Sequence, residues 1–264
     1  MGRTVSYGHL KHLLHSVDYV HKALNLSCPV ESFQVDTTLQ GLKRRLAKVP
    51  FQVLPISPDI LRRMYKFLDM SKTSDLALWC SYLTAFYGLL RKASTVPDPS
   101  VPERPSHLLR RHLQIDSRNN MVYIYVGFSK TNNFCTRDVV IPVPGNKDPA
   151  LDLVRHLKVL YEKVDSQPDD PAFSFNKNSF ISYTYFTARL KDLLQKAGFD
   201  AALFSGHSFR RGGATFLHNS GGTTLMVQAC GDWGSNCFTK YLYLTEAQRL
   251  AAQLIMLAAI EKSI

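Results

Sequence analysis

The segment 206–217, GHSFRRGGATFL, holds the side chains best suited to catalysis or to binding an anion. His207 and Arg210 are three positions apart, so in a helix both side chains project from the same face. The glycines at 212 and 213 would let another backbone, or a phosphate, approach closely. Taken alone, this pattern is more typical of a capped helix with a solvated pair of arginines, and a functional prediction needs further signals.

Other segments supply those signals. LLRKAS contains Arg91, GDW occupies positions 231–233, and KYLYL contains Tyr241. With SKTNNF and HSFRRGGATFL they make five motifs in a fixed order, and a predicted strand hairpin lies between the first and the third. In this order they resemble the catalytic domain of tyrosine recombinases, the phage-integrase family, over about residues 57–264. The residues of these motifs are most similar to those in the recombinases of DIRS- and Ngaro-type retrotransposons.

The resemblance implies a transesterification at a DNA phosphodiester that needs no metal and no nucleotide cofactor. Negative charge collects on the non-bridging oxygens in the transition state, and Arg91 and Arg210 would hold them with paired guanidinium donors. Tyr241 would be the nucleophile and form a 3′-phosphotyrosyl link. His207 would accept the tyrosine proton or donate a hydrogen bond to the phosphate.

Two more site residues follow from the same resemblance. Lys130, at the turn between the second and third predicted strands, would give a proton to the departing 5′ oxygen; Lys147 and Lys177 are the alternatives. Trp233 stands where relatives carry His or Trp. Its indole N–H would either contact the phosphate or support the packing.

The sequence departs from the family pattern at two places. Ser94 stands three positions after the first arginine, where many relatives carry an acidic residue. The gap of eight residues from Trp233 to Tyr241 (241 − 233) is one shorter than in many bacterial members. Tyr243 is therefore the alternative nucleophile.

The elements that must position these residues are mostly helical. Three prolines within VPFQVLPISP, residues 49–58, indicate a linker, because proline blocks helix propagation. Upstream, the resemblance implies that residues 1–50 are a partial helical core-binding, SAM-like DNA-binding segment. Downstream, residues 57–264 are expected to have the tyrosine-recombinase, or integrase, catalytic fold, mostly α with a small three-stranded antiparallel sheet.

Periodicity predicts the individual elements. One predicted helix runs from Ser74 to Arg91. As an alternative to a catalytic role, the positive charge of Arg91 would interact favourably with the negative end of the dipole of this helix. Alternation of polar and apolar residues indicates three strands, at 109–115, 121–128 and 138–143. The other helices are predicted at 4–24, 37–47, from 57, at 151–164 and 183–197, from 208, and from 245.

Composition limits the classes of function. Lys and Arg number 32 against 21 Asp and Glu, and the net charge of +11 favours nucleic acid or an anionic membrane surface as partner. The longest apolar run, 254–260, is far short of the ~20 residues that span a membrane. The five Cys form no CxxC, and no His and Cys have the spacing of zinc ligands.

The sequence therefore predicts a site-specific recombinase of a mobile element that acts on double-stranded DNA in the nucleus, without a membrane. An apolar C-terminal helix is expected to dock on a neighbouring protomer in a homotetramer. The alternatives are a domesticated or decayed copy that only binds DNA, and a type IB topoisomerase. Basic side chains expected to contact the DNA backbone are Lys43, Arg44, Arg45, Lys48 and Arg211.

Overall fold

In a computed structural model of the protein, the residues described are 6–46, 52–100, 107–127 and 139–233, with 239 and 242. The chain divides into two units, Met1–Gln52 and Val53–Ile264. The first unit contains two helices, α1 (Tyr7–Ala23) and α2 (Phe33–Leu46), whose side chains are all at least partly exposed.

The second unit consists of helices around a small sheet. The helices are α3 (Pro58–Tyr65), α4 (Thr73–Tyr87), α5 (Lys92–Thr95), α6 (Leu153–Lys163), α7 (Tyr183–Lys196), α8 (His207–Asn219) and α9 (Thr224–Cys230). The strands are β1 (Leu113–Asp116), β2 (Met121–Val126), β3 (Val139–Pro144), β4 (Ser174–Asn176) and β5 (Ser179–Phe180). Strands β1 to β3 pair antiparallel in chain order, and β4 and β5 form a separate hairpin.

Helix α4 lies at the centre of the second unit. Residues 76–86 are all buried, because this helix is apolar on every side rather than along one stripe. The indole of Trp79 donates to the carbonyl of Ala150 at 2.7 Å, and the hydroxyl of Tyr82 donates to the carbonyl of Phe186 at 2.9 Å. Since α4 also contacts α6 and α8, it fixes the elements that carry the predicted site.

The end of α4 differs from the prediction. The helix ends at Tyr87, and the N–H of Leu90 closes it by donating to the carbonyl of Ala85 at 3.0 Å. Arg91 instead caps the N-terminus of α5. The expected place of Arg91 at a helix C-terminus, where it would favour the dipole, was therefore wrong.

The sheet also differs from the prediction at its first strand. β1 begins at Leu113 rather than at residue 109, because Arg110–His112 forms a 3₁₀ turn. The N–H groups of Arg110 and Arg111 donate to the loop 168–170 at 2.9 and 3.0 Å, so this backbone is not available to β2. The β4–β5 hairpin was not predicted, because its strands have three and two residues.

The two glycines of α8 bring that helix against two other backbones. A Cβ on Gly212 would lie 1.9 Å from the carbonyl oxygen of Ile56, and one on Gly213 would lie 2.3 Å from that of Phe86. The N–H of Ile56 also donates to the carbonyl of Ser208 at 3.0 Å. The glycine pair was expected to admit either another backbone or a phosphate, and the structure shows the close approach of a backbone.

We expect Gly212→Ala to lower the free energy of unfolding by about 3 kcal/mol, the upper range for overpacking, because the new methyl group would meet a backbone carbonyl. Urea unfolding followed by circular dichroism measures this loss. Gly127→Ala is the matched control, since nothing lies within 4 Å of a Cβ there. Equal stability of the two variants would contradict the close approach of α8 to residue 56.

Candidate active site

Arg210 is the most tightly held of the predicted site residues. It lies in the first turns of α8, and 2% of it is exposed. One terminal nitrogen of its guanidinium donates to the carbonyl of Leu89, and the other donates to the carbonyl of Gly231 at 2.8 Å. A buried charge needs such hydrogen bonds, because it has lost most of its hydration. Arg210 thereby joins two chain segments that are distant in sequence.

Both carbonyls lie where a helix ends. Leu89 follows α4 and Asp232 follows α9, and both adopt the left-handed conformation, with φ of +48° and +50°. The N–H groups of the next residues, Leu90 and Trp233, then donate to carbonyls five positions back in each helix, at 3.0 and 3.1 Å. The carbonyl of Gly231, the C-cap of α9, lacks an intrahelical donor and lies at the negative end of the helix dipole, whereas Leu89 lies just beyond the C-cap of α4, so its carbonyl is outside that helix. Both carbonyls are therefore suited to a guanidinium.

Trp233 covers the flat face of that guanidinium. The Cζ atom of Arg210 lies 3.8 Å from the centre of an indole ring that is itself buried. The ring packs in a small cluster with Leu89, Ala214 and Val227. This contact supports the packing role of Trp233, and its contact with a phosphate remains a prediction.

A small cleft brings the two predicted arginines together. Arg91 and Arg210 both line it, with Ser94, Asp232 and the ends of β2 and β3. Its volume is about 20 Å³, which is enough for about one water molecule. The cleft is thus the place where the two arginines meet, and it is too small to enclose a phosphodiester.

His207 is the first residue of α8, and its side chain is exposed. Its N–H donates to the hydroxyl of Ser205 at 3.2 Å, and the N–H of Ser205 donates to the hydroxyl of Ser208 at 2.9 Å. Such side-chain acceptors satisfy N–H groups that have no partner at a helix start. The two serines that flank His207 therefore fix its backbone.

The surroundings of His207 disfavour its protonated form. Its pKa is lowered, first by partial loss of hydration and then by nearby positive charges. Those charges belong to Lys92, Arg91 and Arg210. At pH 7 the imidazole is neutral, which is the form that can accept a proton.

Lys92 is a residue of this site that the sequence did not predict. Its aliphatic chain lies against Gly206, where a Cβ would be 2.3 Å from Cδ of the lysine. Its ammonium lies 3.7 Å from the centre of the Tyr183 ring. The only signal in the sequence was its position directly after Arg91.

No protein-family model and no curated protein sequence matches this chain. Solved structures do match it: XerA recombinase has a TM-score of 0.53 at 17% identity, over 92% of this chain and 74% of XerA. XerH site-specific recombinase, bound to a palindromic difH substrate after cleavage, has a TM-score of 0.56 at 14% identity, over 96% and 70% of the two chains. The Tn1549 transposon integrase, in complex with transposon right end DNA, has a TM-score of 0.60 at 12% identity, over 97% and 81%.

The second unit has the tyrosine-recombinase catalytic fold. The predicted fold class, mostly α with a small three-stranded antiparallel sheet, is confirmed. Within this fold Arg91 and Arg210 line one cleft, and Trp233 stacks on Arg210. The catalytic roles of these residues and of His207 remain predictions.

The remaining predicted residues of the recombinase site are outside the described part of the chain. These are Lys130, Tyr241 and Tyr243. Their neighbours are described: Val126 and Val139, which flank the segment with Lys130, line the cleft of the two arginines. Leu242, between the two tyrosines, packs against the cluster that contains Trp233.

The basic side chains predicted to contact DNA differ in exposure. Lys43, Arg44 and Arg45 are exposed in the last turn of α2, whereas Lys48 is outside the described residues. Arg211 is 6% exposed and therefore buried in α8, so the alternative of a solvated side chain was wrong, and its contact with the DNA backbone stays a prediction. None of these contacts with DNA is tested by the fold.

Other features of the described residues carry no chemistry of their own. A larger groove of about 400 Å³ is lined by apolar and neutral side chains, such as Ile60, Phe199 and Phe216. In the described ranges, no group of three His, Cys, Asp or Glu could hold a metal ion. No helix in the same ranges is long and apolar enough to cross a membrane.

We expect Arg210→Lys to lower the free energy of unfolding by about 3 kcal/mol. A single ammonium cannot reproduce the fork that reaches two carbonyls, and a hydrogen bond to a charged group is worth ~1.5–3 kcal/mol. Stacking on Trp233 is weakened as well. Arg155→Lys, on an exposed position of α6, is the control. Thermal unfolding measures both, and an equal, small change in the two would contradict the role of the fork.

Proposed function

We propose that this protein is a site-specific DNA recombinase that cleaves and rejoins DNA through a 3′-phosphotyrosyl intermediate. The observation that carries the proposal is the meeting of Arg91 and Arg210 at one cleft, with His207 near enough for both charges to lower its pKa. Two arginines beside a neutral imidazole suit a reacting phosphate, because they stabilise negative charge and leave a proton acceptor.

The proposed step is an exchange of one phosphate ester for another. The bond from the tyrosine oxygen to phosphorus forms while the bond from phosphorus to the 5′ oxygen breaks. The phenolic proton passes to His207, and a proton from Lys130 neutralises the departing 5′ oxygen. Arg91 and Arg210 hold the non-bridging oxygens throughout, so no metal or nucleotide cofactor is required. Religation is the same step in reverse.

The nucleophile is proposed to be Tyr241, with Tyr243 as the alternative. Packing of Leu242 on the Trp233 cluster supports a nucleophile in this stretch, since that cluster also contains Leu89, whose carbonyl accepts a hydrogen bond from Arg210. The choice of Tyr241 rests on the motif KYL, in which a basic residue precedes the tyrosine, as in the retrotransposon recombinases that the motifs resemble.

Double-stranded DNA is the proposed partner. The net charge of +11 supports it, and XerH and the Tn1549 integrase were both solved with DNA. The exposed basic turn of α2, with Lys43, Arg44 and Arg45, is proposed to contact backbone phosphates, as is Lys48. Arg211 is buried, so its predicted contact with the DNA backbone has no support from its exposure.

The biological setting is proposed from the motifs. The amino-acid sequences of these motifs support a recombinase of a DIRS- or Ngaro-type mobile element, and this recombinase would integrate DNA in the nucleus. The apolar residues 250–260 support a homotetramer on DNA, in which each C-terminal helix docks on the next protomer. Native gels of the protein on a full site would show four protomers for each synapse, and a monomer only would contradict this arrangement.

The principal alternative is a domesticated or decayed copy that binds DNA without cutting it. Retention of Arg91, His207, Arg210 and Tyr241 supports the enzyme, because decay would be expected to change some of these positions. Formation of a covalent adduct separates the two, and a type IB topoisomerase would in addition relax supercoiled DNA without a second site.

We expect Tyr241→Phe to abolish the covalent protein–DNA adduct on nicked duplex substrates and to leave binding intact, because only the nucleophilic oxygen is lost. Tyr243→Phe, the matched control, should keep adduct formation. Denaturing gels report the adduct, and mass spectrometry of the DNA-linked peptide identifies the residue. A DNA link on Tyr243 would make that residue the nucleophile. If the unmodified chain forms no adduct, the recombinase proposal is wrong and the alternative of a protein that only binds DNA is supported.

We expect Lys130→Ala to cleave an ordinary substrate slowly and to recover on a substrate with a 5′-bridging sulfur. A thiolate leaves without a proton, so the missing general acid no longer limits the rate. The comparison of the two substrates by single-turnover kinetics measures the recovery, with Lys147→Ala and Lys177→Ala as controls. Recovery of one of these controls instead would move the general acid to that lysine.

A further inference from the structure

Lys92 lies where two parts of the site meet. It is the first residue of α5, directly after Arg91, and its aliphatic chain covers Gly206, the residue before His207. A Cβ at 206 would overlap three carbon atoms of the lysine, at 2.3 to 2.9 Å, so a larger residue there would displace the Lys92 side chain. The side chain of Lys92 is therefore built into the start of α8.

The ammonium of Lys92 has a fixed support. It lies 3.7 Å from the centre of the Tyr183 ring, a distance typical of cation–π contacts. Tyr183 is the first residue of α7, whose N-terminus Ser182 caps. The backbone N–H of Tyr183 donates to the carbonyl of Pro97 at 2.8 Å. Since the ring is held at the backbone, the ammonium of Lys92 has a fixed position, and the chain that carries it lies against Gly206, the residue before His207.

Within the described ranges, the charged groups that affect the pKa of His207 are cations. Lys92 and Arg91 come from the segment at α5, and Arg210 comes from α8 itself; the hydroxyls of Ser205 and Ser208 are neutral. A bound phosphate would compensate the two arginines, because both are proposed to contact it. Lys92, which is held on Tyr183, would keep its effect on His207.

We propose that Lys92 is a positioning residue that acts through His207: its fixed charge keeps the imidazole unprotonated, ready to take the proton of the attacking tyrosine. This proposal rests on the proposed function for the cleavage step. The charge effect itself belongs to the protein without DNA.

The first experiment is an NMR titration of the His207 ring without DNA, with the resonance identified by its loss in His207→Asn. We expect the midpoint to move to higher pH in Lys92→Met and to stay in place in Lys92→Arg, which keeps the charge. Tyr183→Leu should move it part of the way, because the ammonium loses its support. Lys196→Met, which removes a charge from an exposed ion pair at the end of α7, is the control and should have no effect.

The second experiment is the rate of adduct formation as a function of pH. In Lys92→Met we expect a loss of roughly fivefold near pH 6, the size that one partly exposed charge can supply, and little loss near pH 8. Lys92→Arg should restore the profile of the unmodified chain. Melting temperatures of all variants show that the folded protein is being compared.

A His207 midpoint that is the same in Lys92→Met as in the unmodified chain would overturn this proposal, whatever the cleavage assay gives. A uniform loss of rate at every pH would overturn it too, because a purely structural defect has no reason to follow the titration of an imidazole. Failure of the unmodified chain to form any adduct, with a shifted midpoint in Lys92→Met, would instead overturn the proposed function and with it the catalytic part of the proposal.

Discussion

Burial of one guanidinium, that of Arg210, constrains much of the second unit. A charge at 2% exposure is stable only where hydrogen bonds replace its water. Here two of the replacements are backbone carbonyls from the ends of α4 and α9, and the face of the group lies on Trp233. A buried arginine on α8 therefore requires two other helices to end beside it.

That requirement explains local features that would otherwise be costly. Leu89 adopts a left-handed conformation at a cost of about 1–2 kcal/mol, and the burial of its side chain, worth ~1.5–3 kcal/mol, offsets the cost. Because α4 ends before this residue, Arg91 begins a new turn and reaches the same cleft as Arg210. Gly212 and Gly213 allow α8 to approach closely enough for these contacts.

The sequence was sufficient to predict most helices and strands and to find the motifs. It was insufficient to predict the tertiary contacts that connect them. The apolar pattern from Leu76 to Phe86 predicted α4, but its end could not be read, since left-handed residues are usually glycine and Leu89 continues the apolar run. Pairing of Arg210 with Leu89 spans 121 positions, so the burial of this arginine, like that of Arg211, has no local signal. Lys92 escaped notice because its partners, Tyr183 and Gly206, are distant in the chain.

The choice of carbonyl partners also has an electrostatic consequence. Each helix end carries at most about half a negative charge, whereas a carboxylate carries a full one. These two carbonyl bonds fix the orientation of Arg210 and carry less negative charge than a carboxylate would, and the N-terminus of α8, where His207 lies, adds the positive end of a third helix. A guanidinium held this rigidly loses little on meeting an anion, because its orientation is set before the anion arrives. Fold stability and preparation for a phosphate thus depend on the same contacts.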